Sequence, residues 1–161
     1  MIIMRALVIP LLLLAAATSH ADSSVPDNGG GSPVLASLQR TACLGRCPMY
    51  TVTVLRDGTV QWEGKRFVKV VGKAAAKLTP ATIAKLIDAF ERADYFARKD
   101  RYVRYDVTDH PSALTSFDDG KRKKTIAHYH GDRSAPQALD VLEEEIDEIV
   151  GTSRWIGPDQ R

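Results

Sequence analysis

Two tight-turn signals, each followed along the chain by a one-sided helical stripe, constrain the fold of this sequence most. The pairs Asp57-Gly58 and Asp119-Gly120 each separate two segments rich in β-branched or alternating apolar residues. Both central positions of such a turn need positive φ, which favours this dipeptide between two strands. The predicted hairpin strands are 49–55 with 59–63, and 113–117 with 124–129. Residues 35–41 are predicted to form a further strand, and residues 66–71 are predicted to continue the first hairpin.

Two later segments show helical periodicity. The first begins at Thr79-Pro80, with the threonine as cap and the proline at the first helical position, where its missing N–H costs nothing. The second begins near Ser134 and Pro136 and ends at Gly151. Their apolar stripes are Ile83, Leu86, Ile87 and Phe90 in the first, and Leu139, Leu142, Ile146 and Ile149 in the second. The sequence therefore predicts an α+β fold, an antiparallel sheet of two hairpins with two helices packed on one face.

Residues 94–112 show neither strand nor helix periodicity. Connections of this length are uncommon inside compact domains and often carry function. The alternative is an irregular segment that Tyr95, Phe96, Tyr102 and Tyr105 pin to the core. Both interpretations remain open at this point.

The N-terminal residues 1–21 have the features of a secretory signal peptide. Arg5 precedes an apolar stretch at 7–17, and Ser19-His20-Ala21 supplies small residues for cleavage after Ala21. The stretch is short for a permanent membrane anchor, which is the alternative interpretation. Residues 22–34 are polar and glycine-rich and predict a disordered tether. We expect a single domain at 35–157, in the periplasm or secreted, without membrane insertion after signal cleavage.

Composition narrows the class of protein further. The chain has 161 residues, with 22 basic and 20 acidic side chains and two cysteines. This length fits one globular domain and excludes a mini-protein that depends on many disulfides. A formal charge of +2 is too small to indicate a nucleic-acid partner.

Cys43 and Cys47 are the candidate covalent crosslink. Two closely spaced cysteines in an exported protein are expected to form a disulfide, and Gly45 permits the tight reversal. A redox-active pair is an alternative, because Arg40 and Arg46 favour the thiolate form. Metal ligation is a third interpretation. The C-x-x-x-C spacing differs from the C-x-x-C of thioredoxin-like sites.

The histidines supply the only other candidate site. His128 and His130 lie two residues apart on a predicted strand, so both side chains face the same side. Asp109 and His110 lie in the long 94–112 segment, and Asp132 follows the strand. Two imidazoles and a carboxylate can form a zinc site with an open position. Solvent-facing or hydrogen-bonded histidines are the alternative, and the sequence assigns no metal or cofactor.

The segment RTACLGRCPMY at residues 40–50 resembles the signature of an uncharacterised bacterial family, the domain of unknown function DUF6438. Shorter motifs follow in the family's order: Gly58-Thr59-Val60 then Gly64, Val107-Thr108-Asp109 with Pro111, Ile126 then His128-Tyr129, and Gly151-Thr152 then Arg154-Trp155. The resemblance covers residues 35–156. It implies a small exported or envelope-associated domain and brings no established activity, cofactor or catalytic residue.

These observations favour a small exported binding module over an enzyme, because no complete catalytic set is present. Its partner is a protein or a small-molecule ligand, and the recognition surface is expected at residues 94–112, the Cys43–Cys47 turn and the strand with His128. One alternative is a metal-dependent hydrolase that uses His128, His130 and Asp109. The other is a thiol–disulfide protein that uses Cys43 and Cys47.

Overall fold

The computed structural model describes residues 33–158, which form one seven-stranded mixed sheet with three helices. The strands are β1 (Val34–Arg40), β2 (Met49–Leu55), β3 (Thr59–Arg66), β4 (Gly72–Lys77), β5 (Arg101–Tyr102), β6 (Ser112–Asp118) and β7 (Lys123–Tyr129). The helices are α1 (Pro80–Arg92), α2 (Gln137–Val150) and the short α3 (Ser153–Ile156). The predicted signal peptide at 1–21, and all but the last two residues of the predicted tether at 22–34, lie outside the described residues.

The strand order is β4-β3-β2-β1-β6-β7-β5. The predicted α+β class is confirmed, and both predicted hairpins are present as β2–β3 and β6–β7. The sheet is larger than two antiparallel hairpins, however. β1 joins them by pairing antiparallel with β2 and with β6, and β5 adds a parallel pair with β7 at the edge.

Residues 66–71 do not form the predicted continuation strand. β3 extends to Arg66, after which the chain leaves the sheet and returns as β4 at Gly72. The reason is a different set of backbone partners. The N–H groups of Lys69 and Val70 donate to the carbonyls of Ile156 and Trp155, each at 2.9 Å. The backbone here therefore binds the C-terminal α3 instead of a neighbouring strand.

One face of the sheet is buried and the other is largely polar. In β2, Tyr50, Val52 and Val54 are buried, whereas Thr51 and Thr53 on the opposite face are only partly covered. This alternation is the expected pattern for an antiparallel sheet with one solvated face. On that open face, the hydroxyl groups of Ser37 and Ser116 form a hydrogen bond of 2.6 Å between neighbouring strands.

The helices cover the buried face as predicted, with small differences at their ends. The side chain of Thr79 accepts a hydrogen bond from the Thr82 N–H and caps α1, and Gly151 ends α2 with φ 72°. In α2, Val150 is fully buried and Ile149 only partly, so the stripe shifts by one residue at its C-terminal end. α3 was not predicted from the sequence, and it adds Trp155 and Ile156 to the core.

Aromatic side chains anchor the core at two places. Under α1, Phe90 stacks on Phe117 with ring centroids 4.3 Å apart and meets the edge of Tyr95 at 5.0 Å. Under α3, Trp62 lies between Tyr50 at 4.6 Å and Trp155 at 5.2 Å. Within residues 33–158, no helix has the length and apolar character needed to cross a membrane.

Phe90→Ala tests the packing under α1. The ring is fully buried between Phe117 and Tyr95, so its removal should lower the free energy of unfolding by about 3–5 kcal/mol. Urea unfolding measures the loss. The control Val71→Ala changes an apolar side chain that is 68% exposed and should stay within about 0.5 kcal/mol of the wild type. A similar loss in both variants would contradict this packing.

Candidate functional site

The disulfide between Cys43 and Cys47 is confirmed, with the two Cα atoms 5.7 Å apart. Gly45 has φ 136°, the conformational freedom predicted for this reversal. The turn projects outward, and Leu44 at its tip is 80% exposed. Its N–H donates to the carbonyl of Asp109 at 3.1 Å. The disulfide turn therefore lies against the long segment at 94–112, although the two are far apart in sequence.

Both interpretations that the sequence left open apply to the 94–112 segment, each to one part of it. Tyr95 and Tyr102 are buried, and Phe96 packs against the core. Tyr105 is 76% exposed and lies against the ring of Tyr129, with centroids 4.8 Å apart. The first half of the segment, which includes a 3-10 turn at Tyr95–Ala97 and β5, is therefore part of the core, whereas the second half lies on the surface.

The buried carboxylate of Asp132 fixes the surface half of this segment. It accepts hydrogen bonds from the N–H of Arg104 at 2.9 Å and from both the N–H and the hydroxyl of Ser134. These bonds lower the pKa of Asp132, because they stabilise its ionised form. Asp132 therefore links residues 103–111 to the segment that leads into α2.

The four candidate residues divide into two groups. Asp109 and His110 are exposed: the Asp109 carboxylate accepts from the Thr108 hydroxyl at 3.2 Å, and the His110 N–H donates to the Tyr129 hydroxyl at 3.2 Å. His128 and His130 lie under α2, with ring centroids 4.8 Å apart. The structure therefore brings His128 and His130 together and places Asp109 and His110 beside the disulfide turn.

His128 and His130 both bind one buried carboxylate. Glu143 of α2 is only 1% exposed. Its Oε1 lies 2.8 Å from His128 Nδ1, and its Oε2 lies 2.7 Å from His130 Nε2. A guanidinium nitrogen of Arg40 lies 3.7 Å from Oε2 and contributes positive charge. His128 lies on β7, His130 in the turn that follows it and Arg40 at the end of β1, so Glu143 joins α2 to two strands of the sheet.

A second carboxylate extends this network by one turn of α2. Asp147 accepts from Arg40 Nε at 2.9 Å, from the Tyr50 hydroxyl at 2.5 Å and from the Thr152 hydroxyl at 2.8 Å. Arg40 also donates to the Tyr50 hydroxyl oxygen at 3.1 Å. The guanidinium of Arg40 therefore lies between the two carboxylates and makes one continuous polar network under the helix.

The network shifts the pKa values of its members. Burial opposes ionisation of Glu143, but hydrogen bonds and charge from His128 and His130 outweigh it and lower the pKa of Glu143. Burial also opposes protonation of His128, yet Glu143 beside it raises the pKa of that imidazole. Burial and the neighbouring Asp147 raise the pKa of Tyr50 well above its ordinary value. The hydroxyl of Tyr50 is therefore neutral near pH 7.

A cleft of 610 Å³ opens between this network and the end of the disulfide turn. Its charged and hydrogen-bonding lining comprises Arg40, Tyr50, Glu144, Asp147, Glu148, Thr152 and Ser153, with Pro48 at the side of the turn. Arg40 already binds Asp147. The side chains of Glu144 and Glu148 are exposed and have no ion-pair or hydrogen-bond partner among residues 33–158. The cleft therefore has an excess of negative charge.

The described residues also contain one group with metal-ligating atoms close together. One ring nitrogen each of His128 and His130 and one carboxylate oxygen of Asp140 lie within 4.8 Å of one another. The metal-ligand set predicted from the sequence combined these two imidazoles with the carboxylate of Asp109. In the structure the nearby third carboxylate belongs to Asp140, in the first turn of α2.

The sequence did not predict the site roles of Glu143, Asp147 and Tyr50, or the carboxylate-binding role of Arg40. A signal for Glu143 was present. It lies four residues after Leu139 and three before Ile146, inside the apolar stripe of α2. A carboxylate at such a position faces the core and needs polar partners there. Tyr50 and Asp147 carried no comparable signal.

Comparison with known families identifies the chain. Residues 34–150 match the domain of unknown function DUF6438. The protein belongs to the DUF6438 family. The resemblance seen in the sequence is thereby confirmed, and the matched segment contains the disulfide, His128, His130, Arg40, Glu143 and Asp147. A comparison with curated proteins finds no match to this DUF6438 chain.

Replacing both cysteines tests the role of the disulfide turn. The double variant Cys43→Ser, Cys47→Ser should lower the free energy of unfolding by about 2 kcal/mol, the chain-entropy value for so short a loop. NMR amide signals near Asp109 should shift, because Leu44 donates to its carbonyl. A reductant should destabilise the wild type and leave the double variant unchanged. Equal stability of the oxidised wild type and the double variant would contradict a stabilising disulfide.

Proposed function

We propose that this DUF6438 protein is an exported, non-catalytic binding module whose cleft takes a cationic ligand. The observation that carries the proposal is the charge of the cleft. Glu144, Asp147 and Glu148 line it with three carboxylates, and Arg40 is the one basic residue in the same lining. A concave site with an excess of one sign of charge attracts ligands of the opposite sign.

The chemistry of the cleft supports binding over catalysis. A general acid or base works best when its pKa lies near the operating pH. Tyr50 is held neutral and Arg40 is held charged, since Asp147 raises the pKa of both groups. Their donors already point at Asp147. These side chains therefore supply a preformed polar wall, and none of them is poised to transfer a proton.

Rigidity also supports a binding role. Arg40 lies at the end of β1, three residues before Cys43, and Asp147 lies on α2. The ion pair between them and the disulfide fix both sides of the cleft before a ligand arrives. Preorganised sites lose less conformational entropy on binding. The partner class that fits is an amine-bearing small molecule or a lysine-rich segment of another protein.

Export is the second part of the proposal. Its support is the leader-like sequence at 1–21 together with a pair of cysteines in disulfide geometry, a bond that persists in oxidising compartments.

Cell fractionation tests export. We expect the full chain to reach the periplasm or the medium, with an intact mass that corresponds to cleavage after Ala21. Leu12→Arg introduces a charge into the apolar stretch and should retain the protein in the cytosol, whereas the matched variant Leu12→Ile should not. Full-length wild-type protein recovered from the cytosol with an intact leader would overturn this part of the proposal.

Titration calorimetry with trilysine, and with triglutamate as its anionic counterpart, tests the cleft. Trilysine should bind and triglutamate should not. The double variant Glu144→Gln, Glu148→Gln should weaken trilysine binding by roughly two- to thirtyfold, since an exposed ion pair contributes about 0.2–1 kcal/mol. Binding should also weaken at high salt.

Glu91→Gln is the matched control for this titration, because it neutralises an exposed carboxylate on α1 outside the cleft lining. It should bind trilysine as the wild type does. Absence of trilysine binding, equal binding of triglutamate, or unchanged affinity in the double variant would each overturn the assignment of this cleft.

A further inference from the structure

The imidazoles of His128 and His130 each use one ring nitrogen to bind Glu143, and each has a second nitrogen that this contact does not use. We propose that His128, His130 and Asp140 form a binding site for a divalent transition metal ion, with Glu143 as the carboxylate that orients both imidazoles. This metal site is separate from the cleft, and its assignment does not depend on the cationic ligand proposed there.

Three elements of the fold bring the ligand atoms together. His128 lies on β7 and His130 in the turn directly after it, and both rings reach Glu143 of α2. Asp140 lies three residues before Glu143 on α2, which places the two carboxylates on one face of the helix. One nitrogen of each imidazole and one oxygen of Asp140 consequently lie within 4.8 Å of one another.

Glu143 supplies the second observation that supports a metal site. A metal-binding histidine usually donates its other ring N–H to a carboxylate, which fixes the tautomer and the ring orientation. Here Glu143 contacts His128 Nδ1 at 2.8 Å and His130 Nε2 at 2.7 Å. An ionised Glu143 accepts a hydrogen bond from one ring N–H of each imidazole. The lone pairs of the two neutral imidazoles are then on His128 Nε2 and His130 Nδ1.

Burial and access both fit an ion that enters from one side. His128 is 2% exposed, whereas His130 and Asp140 are partly exposed. On the side of the cleft, Arg40 lies beside Glu143 and is itself paired with Asp147. Four ligand atoms around zinc at about 2.1 Å lie roughly 3.4 Å apart. The ligand atoms must therefore approach one another by at most about 1.4 Å, which rotation of the partly exposed Asp140 and His130 side chains can provide.

The donor set indicates the class of ion. Two imidazole nitrogens and one carboxylate oxygen suit zinc and its neighbours in the first transition row, whereas calcium and magnesium prefer oxygen ligands alone. Three protein ligands leave at least one coordination position for water or another ligand. Cys43 and Cys47 are joined in a disulfide and supply no thiolate.

Zinc and cobalt titration of the full chain, purified without a polyhistidine tag and stripped with a chelator, tests the site. We expect one equivalent of Zn²⁺ by calorimetry, and Co²⁺ bands in the visible spectrum without thiolate charge transfer. Asp140→Asn and His130→Gln should each lower the zinc affinity. Glu143→Gln should lower it by about 10- to 100-fold, the usual effect of losing a carboxylate that orients a ligand.

His110→Gln and Glu91→Gln are the matched controls, since they change an exposed histidine and an exposed carboxylate outside the group and outside the cleft. Both should bind zinc as the wild type does. Circular dichroism checks that each variant is folded, and Asp140→Asn remains decisive if the buried Glu143→Gln does not fold. No stoichiometric uptake by the wild type would overturn the proposal. Equal affinity in Asp140→Asn and the controls would also overturn it.

Discussion

The ionised side chain of Glu143, buried between α2 and the sheet, is the constraint on which the rest of the site depends. A buried carboxylate is tolerated only when hydrogen bonds and opposite charge replace the water it has lost. His128 on β7, His130 in the turn after β7 and Arg40 on β1 provide that replacement. The directional contacts of Glu143 permit one register and set the positions of Asp140, Glu144 and Asp147 on the same helix.

The same network relates the two proposed sites to each other. Arg40 contacts both Glu143 and Asp147, so it stands between the imidazole cluster and the cleft. Replacing one member of such a network leaves a buried charge without its partner, which costs more than the contact itself contributes. The disulfide turn then fixes the chain immediately after Arg40, so a small covalent ring supports the position of a charged side chain.

Local signals in the sequence were sufficient for most elements, and long-range pairing decided the rest. Asp57-Gly58, Asp119-Gly120 and Thr79-Pro80 act within a few residues, so both hairpins and the start of α1 could be predicted. β4 is alanine-rich and β5 has only two residues, and neither carries a strand signal of its own. Their pairing comes from β3 and β7. Of the site, His128 and His130 could be paired from their spacing, whereas Tyr50 and Asp147 come together only through the packing of α2.

The outer strand β4 has a consequence for how copies of this protein meet. It leaves one border of the described sheet without a neighbouring strand, and such a row of amide groups can template the addition of a second molecule. Lys73 and Lys77 are exposed at this border. Two molecules aligned there would bring like charges together, and the two-residue β5 offers little to extend at the opposite border. We therefore expect both borders of the described sheet to disfavour edge-to-edge association between copies of this protein.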